Sequence, residues 1–192
     1  MPWLPNRTTG FINNFKIVLL FMAIDFSLET TKELVFEKVA HYLNQQQLKV
    51  DKQDATRPWG GFFVLDETDA EKFIALYFPL FSKDQLTISG KLSPKILLVA
   101  PGKRLSWQYH HRRAEIWKLI GGTAGVVTSD TDVEKGTTHL AINDIIQLKQ
   151  GERHRLIGLN GWGIVAEIWQ HTNASEPSNE DDIVRLQDDF GR

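Results

Sequence analysis

The stretch GKRLSWQYHHRRAEIW, residues 102–117, sets Gln108, His110 and Glu115 within eight residues of one another. In a β-strand, side chains two positions apart point to the same face, so Gln108 and His110 can share one interior. Glu115 can return to that interior from the next strand. About forty residues later, Gly151, Glu152, Arg153 and His154 form a turn leading into another strand, and His154 could supply a fourth group from across the structure. Two imidazoles, a carboxylate and an amide oxygen make a hard-to-borderline donor set, suited to Zn²⁺, Mn²⁺, Fe²⁺, Co²⁺ or Ni²⁺. One carboxylate would leave a bound dication a formal charge of +1, which suits a Lewis acid with open positions. The alternative is a polar network of these four side chains in a barrel that has lost its metal.

Outward from this stretch the texture is β-rich. Short apolar runs at 96–100, 115–120, 124–129, 139–142, 145–148, 155–159 and 163–170 alternate with turn residues such as Pro101-Gly102, Gly121-Gly122 and Asn143-Asp144. Many short strands at close spacing predict an all-β sandwich or barrel. Asn160-Gly161 predicts a tight hairpin. Upstream, residues 30–48 read as a helix, with Thr30 and Glu33 as a capping box. Val35, Phe36, Val39, Tyr42 and Leu43 fall on one face of it. A second helix is expected over 70–78, boxed by Thr68 and Glu71 and ended by Pro79. Both helices are expected to pack on the sheet. The segment 176–192 carries a net charge of −4. Such a run is ordinarily a solvated face, although Ile183, Val184 and Leu186 could dock part of it.

Composition narrows the function. The 192 residues are 42% hydrophobic and 24% charged, ordinary for a globular protein. A net charge of −2 and a pI near 6.3 give no basic face for nucleic acid. There is no cysteine, which excludes disulfides, zinc fingers, iron–sulfur clusters and thiol catalysis. The apolar run at 17–24 lies behind Arg7 and Lys16 but is followed at once by Asp25, without an A-x-A cleavage pattern. It is also short of the ~20 residues that span a bilayer. Met22 is therefore read as the start, with 1–21 an extension that need not belong to the mature chain, and the expected location is cytoplasmic with no membrane contact.

The central stretch resembles the cupin motif G-x5-H-x-H-x3,4-E-x6-G in the variant whose first His is Gln: Gly102, Gln108, His110, Glu115 and Gly122 keep the spacing. It is also similar to the S-L-Q-x-H-x-x-R-A-E-x-W signature of type II phosphomannose isomerases, here running from Ser106 to Trp117. Arg57, Pro58, Trp59 and Gly60 resemble the start of that domain, and Glu180 to Arg185 with Gly191 and Arg192 resemble its end. The resemblance covers roughly 57–192. Departures are Trp107 for Leu, Arg112 and Ile116 where relatives often carry His, Lys149 for a proline before Gly151, and an insertion around 68–93 that could cap the barrel mouth and alter the substrate.

The resemblance implies a jelly-roll cupin barrel at 57–175, with one or two helices added on the N-terminal side at 1–56 and the acidic tail at 176–192 packing on the barrel. It implies one divalent ion, zinc first, on Gln108, His110, Glu115 and His154. The implied activity is metal-dependent aldose–ketose isomerisation of a sugar phosphate, mannose 6-phosphate to fructose 6-phosphate, through a cis-enediol. His111 and Glu152 are candidates for the general base by their closeness to the motifs. Lys103, Arg113 and Arg155 are candidates for phosphate contact, Arg113 also for a catalytic role. In larger relatives such a domain follows a nucleotidyltransferase; with no Gly-rich nucleotide loop here, a free-standing isomerase-type cupin and a homodimer are expected. The alternatives are an isomerase of another sugar phosphate, such as a heptose phosphate, a non-catalytic metal- or sugar-binding cupin, and an iron-dependent dioxygenase, against which Gln108 argues.

Overall fold

The computed structural model of the chain describes residues 26–191, so the expectations for 1–21 and for the run at 17–24 lie outside the described residues. The elements are α1 (Lys32–Gln45), β1 (Val50–Asp54), β2 (Gly60–Leu65), a 3-10 turn (Glu67–Asp69), α2 (Ala70–Tyr77), α3 (Lys83–Leu86), β3 (Lys95–Val99), β4 (Trp107–Tyr109), β5 (Arg113–Ser129), β6 (Thr138–His139), β7 (Ile145–Leu148), β8 (Arg153–His171) and β9 (Val184–Gln187). Every strand pairing is antiparallel, and the path runs β1-β2-β3-β8-β4-β9, with β5 paired to β8, β7 and β6. This is the all-β cupin barrel, with one helix before β1 and two more between β2 and β3. The sheet begins at β1, upstream of the expected boundary at 57, and ends at β9, inside the segment read as a tail.

Strand alternation sorts the core into two faces. Ile96, Leu98, Ile116, Ile164, Ala166 and Ile168 point outward and are covered by α1, α2 and the segment after it, through Val35, Phe36, Phe73, Phe78 and Leu92. Leu97, Val99, Trp117, Leu119, Leu156 and Val165 point inward. The insertion at 68–93 therefore does not cap the barrel mouth. Its apolar side chains need burial, and the outer sheet face supplies it, fastened by Trp169 N–H to the Leu92 carbonyl at 2.9 Å and the Gln170 amide to the Leu86 carbonyl at 2.7 Å.

Four local expectations are corrected. Helix α1 is capped by Thr31, whose hydroxyl accepts the Leu34 N–H at 3.4 Å, while buried Thr30 turns its hydroxyl to Ser27 at 3.2 Å and its carbonyl to Trp162. No box forms at Thr68 and Glu71: Thr68 donates its N–H and hydroxyl to Asp66, and Asp69 at the α2 N-cap has no side-chain cap bond. Asn160-Gly161 is not a hairpin. Strand β8 runs straight through it, and residues 159–162 bulge opposite Thr123, between the pairs Ala124–Gly158 and Gly122–Gly163. The glycines answer close backbone approach. A Cβ on Gly161 would lie 2.5 Å from the Phe26 carbonyl oxygen, and one on Gly122, at φ +68°, 1.7 Å from that of Trp162. Gly121-Gly122, read as a turn, is likewise inside β5.

Candidate active site

Gln108 on β4 stands opposite His154 on β8 as a Cα pair, His110 follows β4, and Glu115 rises from β5. All four are buried. The ligating atoms of His110, Glu115 and His154 lie within 4.8 Å of one another, and this group could hold a metal ion. Glu115 lies between the imidazoles, Oε1 at 3.2 Å from His110 Nε2 and Oε2 at 3.4 Å from His154 Nε2.

The orientation of each imidazole has a cause. His110 Nδ1 sits 2.5 Å from the Asp182 carbonyl oxygen and His154 Nδ1 2.9 Å from that of Glu152. A carbonyl only accepts, so each Nδ1 carries the proton and each Nε2 turns a lone pair inward, the usual support behind a metal-bound histidine. Burial pushes His110 down to about 3 and His154 down as well, keeping both neutral near pH 7. Burial also opposes charge on Glu115, but Arg113, His110 and His154 together outweigh it and hold its carboxyl at about 2. Neutral imidazoles beside an ionised carboxylate are the protonation states a cation requires.

Two atoms fit such an ion directly. Glu115 Oε2 and His154 Nε2 are buried without a hydrogen-bond partner, a costly arrangement in a native interior. The other two donors are shared. Arg113 donates from Nε to Glu115 Oε1 at 2.6 Å and from Nη2 to His110 Nε2 at 3.0 Å. Ser106 donates to Gln108 Oε1 at 2.5 Å, leaving the Gln108 amide nitrogen 3.5 Å from His110 Nε2. Turning this amide end for end would present its oxygen to the ion.

A cavity of about 320 Å³ opens beside this group, within the usual range for small-molecule sites. Gln108, Glu115 and Arg113 line it, and Lys95 and Glu167 stand on its wall among Trp59, Phe62, Leu97 and Trp117. Lys95 and Arg113 both lie over the Trp169 ring, at 3.3 and 3.6 Å from its centroid. The acidic segment closes one side through Glu180, Asp181, Ile183 and Arg185. It is fixed by β9 pairing with β4 and by buried Asp182, which accepts the backbone N–H groups of His111 at 3.0 Å and Arg112 at 2.9 Å and the Ser178 hydroxyl at 2.7 Å. Lys95 Nζ reaches Glu180 at 2.5 Å.

Of the residues expected to move a proton or bind phosphate, only Arg113 lines this cavity. Lys103 and His111 are exposed elsewhere. Glu152 turns its carboxylate onto the Lys149 N–H at 2.9 Å and serves the site through its carbonyl. Arg155 follows His154 and so faces away from the inner group, where it is fully buried against Glu134 at 2.9 Å. Sequence reading passed over Arg57, Lys95, Glu167 and the segment at 180–185. Lys95 and Glu167 did leave a signal: each is a single charge in an otherwise apolar strand, KILLV and GIVAEIW.

Residues 66–188 match the family described as mannose-6-phosphate isomerase C-terminal, a span that takes in all four candidate ligands and runs through β9. The chain belongs to this family. Curated relatives include the alginate biosynthesis protein AlgA of Pseudomonas aeruginosa, 30% identical over 182 residues, covering 93% of this chain and 34% of that protein. The xanthan biosynthesis protein XanB of Xanthomonas campestris is 33% identical over 117 residues, and a mannose-1-phosphate guanylyltransferase of Escherichia coli 34% over 117; each alignment covers 61% of this chain and 23% of the relative. This member of the mannose-6-phosphate isomerase C-terminal family thus spans about a third or less of the length of these relatives. Among solved structures it is similar to a cupin 2 conserved barrel domain protein from Salinispora arenicola, 21% identical over 44% of this chain and 66% of that one, with a TM-score of 0.36. Among the described residues, no helix is long and apolar enough to cross a membrane.

Proposed function

We propose that the chain is a metal-dependent aldose–ketose isomerase of a sugar phosphate, interconverting mannose 6-phosphate and fructose 6-phosphate, with the ion held by Gln108, His110, Glu115 and His154. The observation that carries this reading is the pair of unpartnered buried atoms, Glu115 Oε2 and His154 Nε2, backed by imidazoles fixed through Nδ1. Zinc is the proposed ion, given two imidazoles and one carboxylate. A divalent ion there would polarise the substrate oxygens and offset the charge that develops on the enediolate. Around it Trp59, Phe62 and Trp117 exclude water, and Arg113 adds a fixed positive charge beside Glu115. Arg57 and exposed Arg185, both lining the cavity, are the proposed phosphate contacts. A homodimer and a cytoplasmic location complete the proposal; light scattering checks the first.

One observation favours a second reading, a barrel whose polar network stands without metal: Arg113 already satisfies His110 Nε2 and Glu115 Oε1. A coupled isomerase assay on metal-reconstituted protein, with mannose 6-phosphate and a panel of other sugar phosphates, separates the two. Turnover of one substrate with one ion per chain, both lost in His110→Ala, supports the isomerase. A chain that takes up no metal and turns over nothing supports the second reading.

A further inference from the structure

We infer that Glu167 is the group that carries the proton between C1 and C2 of the sugar; the inference rests on the isomerase reading. Glu167 on β8 is the Cα partner of Trp117 on β5, and Glu115 is the partner of Trp169. Glu115 and Glu167 are therefore diagonal neighbours on the inner face, roughly 7–8 Å apart between Cα atoms. Both line the same cavity. The Trp117 indole N–H donates to Glu167 Oε1 at 2.9 Å, and the same indole stands edge-on to the His154 ring at 5.3 Å. The carboxyl is thus held in place across the width of a small molecule from the His–Glu–His group. A sugar whose O1 and O2 face that group would turn its C1–C2 bond toward Glu167.

The other carboxylates lining the cavity are engaged or outward. Glu115 lies between His110, His154 and Arg113, Glu180 is paired with Lys95, and Asp181 is exposed. The groups facing Glu167 are Lys95 from β3 and Arg113 and Glu115 from β5. Burial, with Glu115 adding to it, raises its carboxyl against the pull of Lys95 and Arg113. A carboxyl group placed there can both take and return a proton.

In the aldose-to-ketose direction, Glu167 removes the proton from C2. The C2–H electron pair becomes the C1=C2 bond, and the carbonyl π pair moves onto O1. The O2 proton passes to O1. The O2 pair then forms C2=O, and the C1=C2 pair takes the proton back from Glu167 at C1. C1 is reduced by two electrons and C2 oxidised by two, so no outside oxidant or reductant is needed.

The test uses the full chain loaded with zinc and the sugar phosphate that the wild type turns over. Glu167→Gln is expected to lower kcat by about 10²–10⁴-fold, to leave KM and bound zinc unchanged, and to abolish deuterium wash-in at C2 of aldose recovered from D₂O. Glu167→Asp, which keeps an acid one methylene shorter, should recover part of kcat. An active wild type with a Glu167→Gln variant of similar kcat would overturn the inference and leave the isomerase reading standing. A wild type that turns over no sugar phosphate overturns both. If Glu167→Gln does not fold, Glu167→Asp decides: lowered kcat at constant KM and zinc supports the role, and unchanged kcat removes it.

Discussion

The two faces of the same three strands are built to opposite rules. The outer face of β3, β5 and β8 carries Ile96, Leu98, Ile116, Ile164, Ala166 and Ile168, sealed under α1, α2 and the segment at 86–92. One residue along each strand, the inner face carries Lys95, Arg113, Glu115, His154 and Glu167, buried to a similar degree. Burying apolar surface stabilises a fold by roughly 25 cal/mol per Å². Burying charges costs desolvation that pairing only partly offsets. The outer face thus holds the barrel together, and the inner face uses part of that stability to keep charged groups dry. Stability and chemistry should separate by side-chain parity along a strand.

The strongest way to break that comparison is to cut one residue from each face. His154→Ala should abolish turnover and weaken metal binding by more than the ~10–100-fold typical of changes behind a ligand. It should leave the unfolding midpoint of the metal-free protein within a few degrees of wild type. Phe73→Ala, on the outer side, should cost about 3–5 kcal/mol in urea unfolding, with kcat/KM per folded molecule unchanged. A metal-free His154→Ala that unfolds as readily as Phe73→Ala would end the division of labour.

A pH series on metal-free protein sharpens it. His110 is held at about 3 and His171 at about 4, against 6.5 when exposed. The unfolded chain therefore binds more protons as the pH falls below 6.5, and stability drops through that window. Glu167 acts in the other direction. With its carboxyl raised from 4.5 to about 8, the folded chain binds more protons between those values, and stability drops as the pH rises through them. The urea midpoint should therefore peak at about pH 6.5, and Glu167→Gln should flatten the alkaline side alone. A smaller effect is expected at the seam between the faces. Asp182→Asn weakens the strap over His111 and Arg112 and should cost about 1–3 kcal/mol, with a loss of metal affinity because the Asp182 carbonyl orients His110.

The barrel and its donor set were legible because period-two alternation and motif spacing are local. Gln108, His110 and Glu115 needed only strand geometry to be placed together. The cavity was not legible, since it is assembled from positions far apart in the chain: Lys95 and Glu167 meet through the β3–β8 register, and 180–185 arrives as an added strand. Its charge read as a solvated face and its resemblance as a tail packed on the barrel, but neither pointed to Asp182, which is 5% exposed and ties down the loop behind His110. Closeness in sequence to the motif pointed to His111 and Arg155, but Arg155 follows His154 along β8 and so takes the opposite face, and His111 lies exposed in the bend after β4. Asn160-Gly161 misled for a related reason: the glycine answers the approach of Phe26, more than a hundred residues away, and a local turn rule has no access to that contact.

The smallest effect tests the outer face at its edge. Thr31 accepts the Leu34 N–H and starts α1, whereas Thr30 holds Trp162 through its carbonyl. Thr31→Ala should remove a helix cap and cost ~1 kcal/mol. Thr30→Ala keeps the carbonyl bond and gives up a hydroxyl contact with Ser27, so its cost should be no larger. Neither change touches the inner face, and both variants should match wild type in metal content and turnover. If Thr30→Ala proves the more damaging of the two, the cap belongs one residue earlier, and the N-terminal turn against Gly161 carries more of the barrel's stability than the helix it leads into.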